Sequence, residues 1–189
     1  MKIIITGASG FVGQNLLRFL KKDNDLIPLS IRYNHNKKFN LNSSVVIHLA
    51  GKAHDLKKTS EDKEYYEANT ELTKKVFNQF LESSSKVFIF MSSVKAATDV
   101  VQGVLSEDVI PDPVTVYGKS KLAAEEYILS KEILKNKRVY ILRPCMIHGP
   151  NNKGNLNLLY KLVSKRIPWI LGGFNNSRSY CSVENLSFV

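Results

Sequence analysis

The sequence predicts an α/β fold, a doubly wound parallel sheet covered by helices on both faces. Two observations lead to this prediction. Short apolar runs rich in β-branched residues alternate with longer segments in which apolar residues recur at helical spacing. The segments between most successive runs are long enough to hold a helix, and parallel neighbouring strands need such crossovers. Runs that are apolar throughout are typical of sheets buried on both faces.

The first half of the chain contains three predicted strands and one predicted helix. Residues 2–6 read KIIIT and end at a glycine cluster, after which Phe11–Leu20 has helical spacing. Leu26–Ile31 and Val45–Ala50 are the next strands. Only 12 residues separate Arg32 from the third strand, too few for a further strand and a crossover helix. We therefore expect a strand to be missing here.

The second half of the chain continues the alternation. It is predicted to contain, in order, a helix, a strand, a helix, a strand, a helix and a strand-like stretch: Glu64–Leu81, Val87–Met91, Val116–Lys135, Arg138–Leu142, Leu156–Ile167 and Ser177–Val189. There are no internal repeats.

Composition excludes several classes of protein. The chain has 189 residues, 43% of them hydrophobic, which is enough for a core and excludes disorder of the whole. Two cysteines cannot form a disulfide scaffold. No apolar run reaches the length of a membrane span, and the opening MKIIITG has the pattern of a strand and not of a secretory signal. We expect a cytoplasmic protein without a membrane partner.

The net charge of +10 is unevenly distributed. Residues 136–189 carry eight basic side chains and one acidic side chain. The basic residues occur mostly in ones and twos, not in a stripe interleaved with aromatic residues, so we expect no nucleic-acid partner. Either they are solvated surface cations, or they create a field that attracts small molecules carrying phosphate.

A glycine-rich turn, TGASGFVG at residues 6–13, lies between the first predicted strand and the first helix. Its spacing is G-x-x-G-x-x-G. Such glycines allow a tight turn, close approach of the backbone to a ligand, and close packing of helix on strand. Backbone amides and the positive end of the helix dipole can hold a pyrophosphate here. The turn predicts a dinucleotide site in a Rossmann-like sheet, with contacts from Gly7, Ser9, Gly10, Phe11, Val12 and Gly13.

The end of the second strand usually contacts the adenosine ribose of such a cofactor. An acidic residue there favours NAD and an arginine favours NADP. This strand ends in Ser30-Ile31-Arg32, without an acid. The cofactor is therefore predicted as NAD or NADP, with Arg32 favouring NADP unless it is an ordinary surface arginine.

Tyr117 and Lys121 lie four residues apart, on one face of a predicted helix. A tyrosine hydroxyl has a pKa near 10 in water, and an adjacent ammonium favours its phenolate. Tyr117 can then act as a general acid or base. Ser93 follows a buried strand at its carboxyl end, where open α/β sheets bind their ligands.

The ordered motifs together resemble the extended branch of the short-chain dehydrogenase/reductase superfamily, which contains nucleotide-sugar epimerases, dehydratases and reductases. The resemblance covers essentially the whole chain. It rests on TGASGFVG, VVIHLAG at 45–51, Asn69-Thr70, FIFMSS at 88–93, YGKSK at 117–121, LRPCMIHGP at 142–150 and RSYCSVENL at 178–186.

This resemblance implies a role for each matching residue. Tyr117 would be the catalytic acid/base, Lys121 would bind the nicotinamide ribose and lower the tyrosine pKa, and Ser93 would hydrogen-bond the reacting sugar oxygen. The remaining expectations are cofactor contacts from Leu49, Ala50, Gly51, Pro144 and Met146, a bracing role for Asn69, and substrate contacts from Asn155 and Arg178. An exposed cation is the alternative for Arg178.

Departures from the family pattern narrow the expected activity. The 4,6-dehydratases place an Asp-Glu pair after the serine, whereas Ser93 is followed by Val94-Lys95. We therefore expect a C4 epimerase resembling UDP-glucose 4-epimerase, or a 4-keto-sugar reductase, and a nucleotide-sugar substrate linked to UDP. The alternative is a dinucleotide-binding regulatory or interaction protein without turnover.

The resemblance also implies an organisation. We expect residues 1–150 to form the NAD(P)-binding domain and residues 151–189 to begin an incomplete substrate-binding lobe. Pairing through a two-helix face that includes Leu122–Leu134 would give a homodimer. No metal site is expected, because the spacing of the histidines and cysteines, His48, His54, His148, Cys145 and Cys181, matches no ligand set.

Overall fold

The computed structural model describes residues 1–33, 38–53, 61–101, 103–152, 155–166, 168, 173 and 177–189. His54 lies outside this part of the chain. Five strands form one fully parallel sheet in the order β2-β1-β3-β4-β5. They are β1 Lys2–Thr6, β2 Asp25–Leu29, β3 Val45–His48, β4 Val87–Met91 and β5 Arg138–Leu142.

Helices cover both faces of this sheet. They are α1 Phe11–Leu20, α2 Asp62–Tyr65, α3 Leu72–Glu82, α4 Val116–Leu129, α5 Asn155–Ser164 and α6 Val183–Phe188, with a π-helical turn Tyr66–Glu71 between α2 and α3 and a 3₁₀ turn Val94–Ala96 after β4. The predicted α/β fold with a doubly wound parallel sheet is confirmed.

The sheet contains two hydrophobic clusters, one on each face. Phe77 and Phe80 of α3 pack with Phe88 and Phe90 of β4 on one face. On the other face, Leu16 of α1 packs on β1 and β3. Side chains of successive strand residues point to opposite faces, so the continuous apolar runs bury both sides.

The expected gap in the first half of the sheet is present. Residues 30–33 and 38–44 are described and contain no strand, and β2 forms the edge of the sheet. Pro28 lies in this edge strand, opposite Ile5. Proline is tolerated there because an edge strand has one side without a ladder.

Several predicted boundaries are wrong. The second strand, predicted over Leu26–Ile31, ends at Leu29, so Arg32 lies beyond it. The helix predicted over Val116–Lys135 ends at Leu129. Leu129 and Leu134 are exposed, whereas Ile133 packs against the core cluster from the non-helical segment that follows α4. The strand predicted over Ser177–Val189 is confined to Tyr180–Ser182, because the Ser182 side chain accepts a hydrogen bond from the Asn185 amide and starts α6.

A second sheet consists of two parallel strands, β6 Met146–His148 and β7 Tyr180–Ser182. The sequence analysis did not predict β6. The following helix, α6, packs against α1. The Asn15 amide of α1 also donates to the Pro150 carbonyl at 3.1 Å. The boundary at residue 150 stays a prediction, and pairing between the two strands crosses it.

Candidate active site

The candidate site lies at the carboxyl ends of β1, β3 and β4. After β1 the chain crosses to β2 on one side of it, and β3 pairs with β1 on the other side. A reversal of this kind opens a crevice above the carboxyl ends of the two strands. The glycine-rich turn follows β1, and Leu49, Ala50 and Gly51 follow β3.

The glycine-rich turn is packed so closely that two of its glycines cannot be replaced without displacing backbone. Gly7 has a φ of +68°, and a Cβ there would lie 2.6 Å from the Ala50 amide nitrogen. A Cβ on Gly13 would lie 2.5 Å from the Gly7 carbonyl oxygen. The predicted roles of Gly7 in the turn and Gly13 in helix packing therefore agree with the geometry.

The amino end of α1 is open to a ligand. Gly10 is its N-cap, and no side chain caps the helix. Ser9 and Gly10 are exposed, while Phe11 and Val12 are half-buried. Amides in the first turn of a helix have no partner within the helix, so they can bind an anion.

A buried polar chain supports the residues that follow β3. The Thr6 hydroxyl lies 2.7 Å from His48 Nδ1 and accepts a hydrogen bond from the Ala50 amide, and His48 Nε2 lies 3.0 Å from the Thr73 hydroxyl. Burial, together with the charge of Lys121, lowers the pKa of His48 to about 3. His48 is therefore a neutral bridge between β1, β3 and α3.

Asn69 braces the same segment from the π-helical turn. Its side chain accepts a hydrogen bond from the Lys52 amide at 2.8 Å and donates to the Lys52 carbonyl and to the Ser120 hydroxyl. A Cβ on Gly51 would lie 2.6 Å from Asn69 Oδ1 and 3.3 Å from Lys121 Nζ. Gly51 thus leaves room for both side chains, and π-helical turns often occur at functional sites.

Lys121 extends from α4 to the end of β4. Its ammonium donates to the Met91 carbonyl at 2.9 Å and lies 4.9 Å from the centre of the Phe90 ring. Burial lowers the pKa of Lys121 to about 8, although the Glu125 carboxylate opposes this shift. The ammonium therefore titrates near physiological pH.

Tyr117 lies one turn before Lys121, and the Ser93 side chain is near enough to act on its hydroxyl. Burial raises the pKa of Tyr117, the Ser93 side chain lowers it, and Tyr65, whose ring packs against it, raises it. Ser93, Tyr117 and Lys121 are therefore brought together, with Asn69 and Gly51 beside them. The expected lowering of the tyrosine pKa by Lys121 stays a prediction.

The start of α4 is fixed against the loop that follows β4. Asp99 accepts hydrogen bonds from the Val114 and Thr115 amides at 2.8 and 2.7 Å and pairs with Lys95 at 2.9 Å. Burial alone would raise the pKa of Asp99, but the bonds from Thr115, Lys95 and Val114 lower it. Thr115 in turn caps α4.

Gly118 allows this close contact. A Cβ at this position would lie 2.3 Å from the Lys95 carbonyl oxygen. The sequence analysis did not assign roles to Asp99 and Gly118. A threonine just before a helical segment is a recognisable cap signal, but the contact of Gly118 with Lys95 depends on residues distant in sequence.

The other predicted site residues are more dispersed. Pro144 accepts a hydrogen bond from the Val94 amide at 3.1 Å, which places it beside Ser93. Met146 is partly exposed, and Arg32 and Arg178 are exposed, after β2 and before β7. Asn155 is the first residue of α5.

A cavity of about 690 Å³ lies beside β5, on the side of α6. Pro144, Cys145 and Cys181 line it together with Arg143. Burial and the neighbouring Cys181 raise the pKa of Cys145, so its thiol is not activated as a nucleophile. Within the described part of the chain, no three His, Cys, Asp or Glu side chains are grouped as metal ligands.

None of the helices in the described ranges is both long enough and apolar enough to span a membrane.

The chain is similar to a known family, to individual proteins and to solved structures. A family model described as "NAD dependent epimerase/dehydratase family" matches residues 3–187. UDP-glucose 4-epimerase of Vibrio cholerae is 35% identical over 213 residues, covering 97% of this chain and 63% of that protein. GDP-6-deoxy-D-mannose reductase of Pseudomonas aeruginosa is 29% identical over 164 residues, covering 80% of this chain and 54% of that protein.

The fold is also found among solved structures. MoeE5 in complex with UDP-glucuronic acid and NAD has a TM-score of 0.81 and 22% identity, covering all of this chain and 70% of MoeE5. The chain spans less than two thirds of the length of the two sequence relatives.

Proposed function

Because the chain belongs to the NAD dependent epimerase/dehydratase family, we propose that it acts in an NAD(P)-dependent enzyme on a nucleotide sugar. The reaction is reversible hydride transfer at a ring carbon, C4, in an epimerase resembling UDP-glucose 4-epimerase or in a 4-keto-sugar reductase. One observation carries the proposal: Tyr117, whose pKa the Ser93 side chain lowers, lies one helical turn from Lys121, and the Lys121 ammonium donates to the Met91 carbonyl at the end of the strand that leads to Ser93.

The described residues fit a dinucleotide cofactor. The amino end of α1 has no side-chain cap, so its amides can accept the pyrophosphate. Gly51 has no Cβ to cover Lys121 and Asn69. We assign the adenine-side and phosphate contacts to the glycine-rich turn and the nicotinamide side to Lys121, Pro144 and Met146. Leu49 and Ala50 connect the two sides.

The bound cofactor supplies the hydride acceptor and donor. Tyr117 takes the proton from the sugar hydroxyl as the hydride leaves the carbon that bears this hydroxyl. It returns the proton when the hydride is delivered back to that carbon. Ser93 donates its one hydroxyl hydrogen to the sugar oxygen and so orients it. Lys121 holds the cofactor ribose and stabilises the phenolate by its charge.

Lys95 supports the exclusion of dehydration. A 4,6-dehydratase would need an acid and a base next to the serine, whereas Lys95 is paired with Asp99, which holds the start of α4. We therefore propose epimerisation, with reduction of a 4-keto sugar as the second candidate. The sequence similarity to a reductase favours that second candidate.

The finer specificities are also proposals. Arg32 is exposed three residues after the end of β2, and an arginine in this region favours a 2′-phosphate, so NADP is slightly favoured. Arg178 and Asn155 are proposed to bind the UDP part of the substrate. Replacing Arg32 with Ala is expected to weaken NADP binding more than NAD binding, which calorimetry with both cofactors measures.

We also propose a homodimer through a two-helix face that includes Leu122–Leu134 of α4 and the segment that follows it. Leu129 at the end of α4 is 73% exposed, which fits an apolar contact. Light scattering with Leu129→Asp tests this assignment, since the variant is expected to be monomeric.

The main test is Tyr117→Phe, which removes the hydroxyl and keeps the ring. Wild-type protein is incubated with NAD or NADP and UDP-hexoses, and products are separated by chromatography. We expect turnover by the wild type and at least a hundredfold loss in the variant. Tyr127→Phe is the matched control. Tyr127 lies on the same helix as Tyr117, α4, but its hydroxyl donates to the Asn78 side chain of α3.

Two outcomes would contradict the proposal. Equal turnover by Tyr117→Phe and wild type would remove the assigned acid/base. Cofactor binding without binding of any nucleotide sugar would instead favour a dinucleotide-binding protein without turnover.

A further inference from the structure

Three consecutive residues at the end of β4 each hold one residue of α4. The α4 residues are spaced by four and therefore lie on one face of the helix. The Met91 carbonyl accepts from Lys121, the Ser92 hydroxyl donates to Glu125, and the Ser93 side chain acts on the Tyr117 hydroxyl and lowers its pKa. The function proposed above uses the first and third contacts and leaves the second unexplained.

Glu125 is a carboxylate that is only 1% exposed. Arg143, which follows β5, donates to it through Nε at 3.1 and 3.0 Å and also through Nη2. The pKa of Arg143 is raised by the hydrogen bonds to Glu125. The carboxylate thus joins the ends of β4 and β5 to the middle of α4, and Arg143 and Ser92 satisfy its oxygens.

Besides Arg143, this carboxylate affects Lys121, which lies one helical turn away on α4. Glu125 opposes the effect of burial on the pKa of Lys121. The other titratable groups around Lys121 are His48 on β3, which is neutral, and Tyr117 on α4, against which Tyr65 packs. Lys52 lies over the Tyr65 ring and is paired with Glu64. Among the described residues, Glu125 is therefore the carboxylate that the electrostatics of Lys121 depend on.

We propose that Glu125 is a positioning residue for Lys121: its buried carboxylate, held by Ser92 and Arg143, fixes α4 on the end of β4 at a point one helical turn from Lys121. The inference rests on the proposed function of Lys121. A charged Lys121 donates to the cofactor ribose and favours the Tyr117 phenolate, whereas a neutral amine would do neither as well.

The test measures the titration of Lys121 directly. The full chain is labelled with ¹³C-lysine, and the Lys121 side-chain signal is assigned by its loss in Lys121→Gln. In Glu125→Gln, which keeps the shape and removes the charge, we expect the midpoint to fall by about one pH unit. Lys137, buried at the other end of the sheet, provides an internal reference that should not move.

Arg143→Gln distinguishes charge from packing. This variant breaks the Glu125–Arg143 pair but leaves the Glu125 carboxylate in place. The titration midpoint of Lys121 is therefore expected to rise or to stay unchanged. A merely structural role for Glu125 predicts that both variants disturb Lys121 in the same direction. Ser92→Ala is the uncharged control, which removes a hydrogen bond to the same carboxylate and should leave the midpoint within about 0.3 pH units, a small fraction of a charge effect.

The expected result is a fall of the Lys121 titration midpoint in Glu125→Gln together with no fall in Arg143→Gln. Any other combination overturns the inference. If Glu125→Gln does not fold, as circular dichroism shows, Arg143→Gln decides alone, since a fall in that variant contradicts the proposal. The midpoint is measured without substrate or cofactor. Failure of this inference is therefore separate from failure of the Tyr117→Phe test.

Discussion

Two buried lysines, Lys121 and Lys137, lie at opposite ends of the same sheet. Each ammonium donates to backbone carbonyls and lies over a phenylalanine ring, Phe90 for Lys121 and Phe80 for Lys137. Burial lowers the pKa of both side chains. The two side chains are therefore alike in type, burial and ring contact. They differ in the number of backbone carbonyls to which each ammonium donates.

Lys137 donates to three carbonyls, those of Phe80, Ser83 and Ser85, at 3.0, 2.8 and 2.7 Å. All three lie around the carboxyl end of α3, where helical carbonyls lack partners and a cation is favourable. Lys121 donates to one carbonyl among the described residues. An ammonium has three donors, so Lys137 is satisfied by the fold and Lys121 keeps donors for a ligand.

Lys121→Met is expected to have the largest effect on activity. It removes the charge beside Tyr117, and we expect kcat/KM to fall by about 10²–10³-fold, within the range of general acid–base effects. The free energy of unfolding should change little, because an apolar side chain replaces a poorly solvated charge. Steady-state kinetics and urea unfolding of the same variant check both statements. Unchanged kinetics would remove Lys121 from the site.

Lys137→Met should show the opposite pattern. It leaves three carbonyls at the end of α3 without their charged donor, and we expect a loss of about 2–3 kcal/mol in the free energy of unfolding. Below the unfolding transition, turnover should match the wild type. Urea unfolding measures the loss, and a variant as stable as wild type would show that the three hydrogen bonds contribute nothing net.

Gly118→Ala tests how closely the active end of the sheet is packed. The added Cβ would lie 2.3 Å from the Lys95 carbonyl oxygen and must displace the start of α4. We expect turnover to fall by at least about tenfold, because small displacements of a catalytic group are costly. Gly173→Ala is the control, since a Cβ there meets nothing within 4 Å. Equal kinetics in both variants would contradict this interpretation.

The pH dependence of stability gives a smaller effect. The folded-state pKa of Lys121, about 8, lies below its ordinary value of 10.5, so between these values the unfolded chain binds more protons. The free energy of unfolding is therefore expected to gain about 1 kcal/mol per pH unit from this group between pH 8 and 10. Below pH 8 the contribution levels off.

The difference in slope between wild type and Lys121→Met isolates this contribution, because Lys137 titrates in both proteins. Urea unfolding at several pH values measures it. Equal slopes would mean that the Lys121 pKa is not lowered. Activity should change in the other direction, falling above pH 8 as the ammonium is lost.

The sequence by itself determined the features that depend on neighbouring residues. Strand β1, the glycine-rich turn and α1 follow from apolar spacing and from glycines at fixed offsets. Tyr117 and Lys121 share a helix face because they are four residues apart. Ser93 could be placed at the same edge because parallel strands align their carboxyl ends.

Only the tertiary structure decided the contacts that join distant segments. Lys137 donates to three carbonyls more than 50 positions away. Glu125 of α4 pairs with Arg143, which follows β5. In the sequence these are ordinary charged residues, and their burial depends on which segments pack around them. The end of α4 at Leu129 was decided in the same way, since Ile133 packs against the core from the non-helical segment that follows the helix.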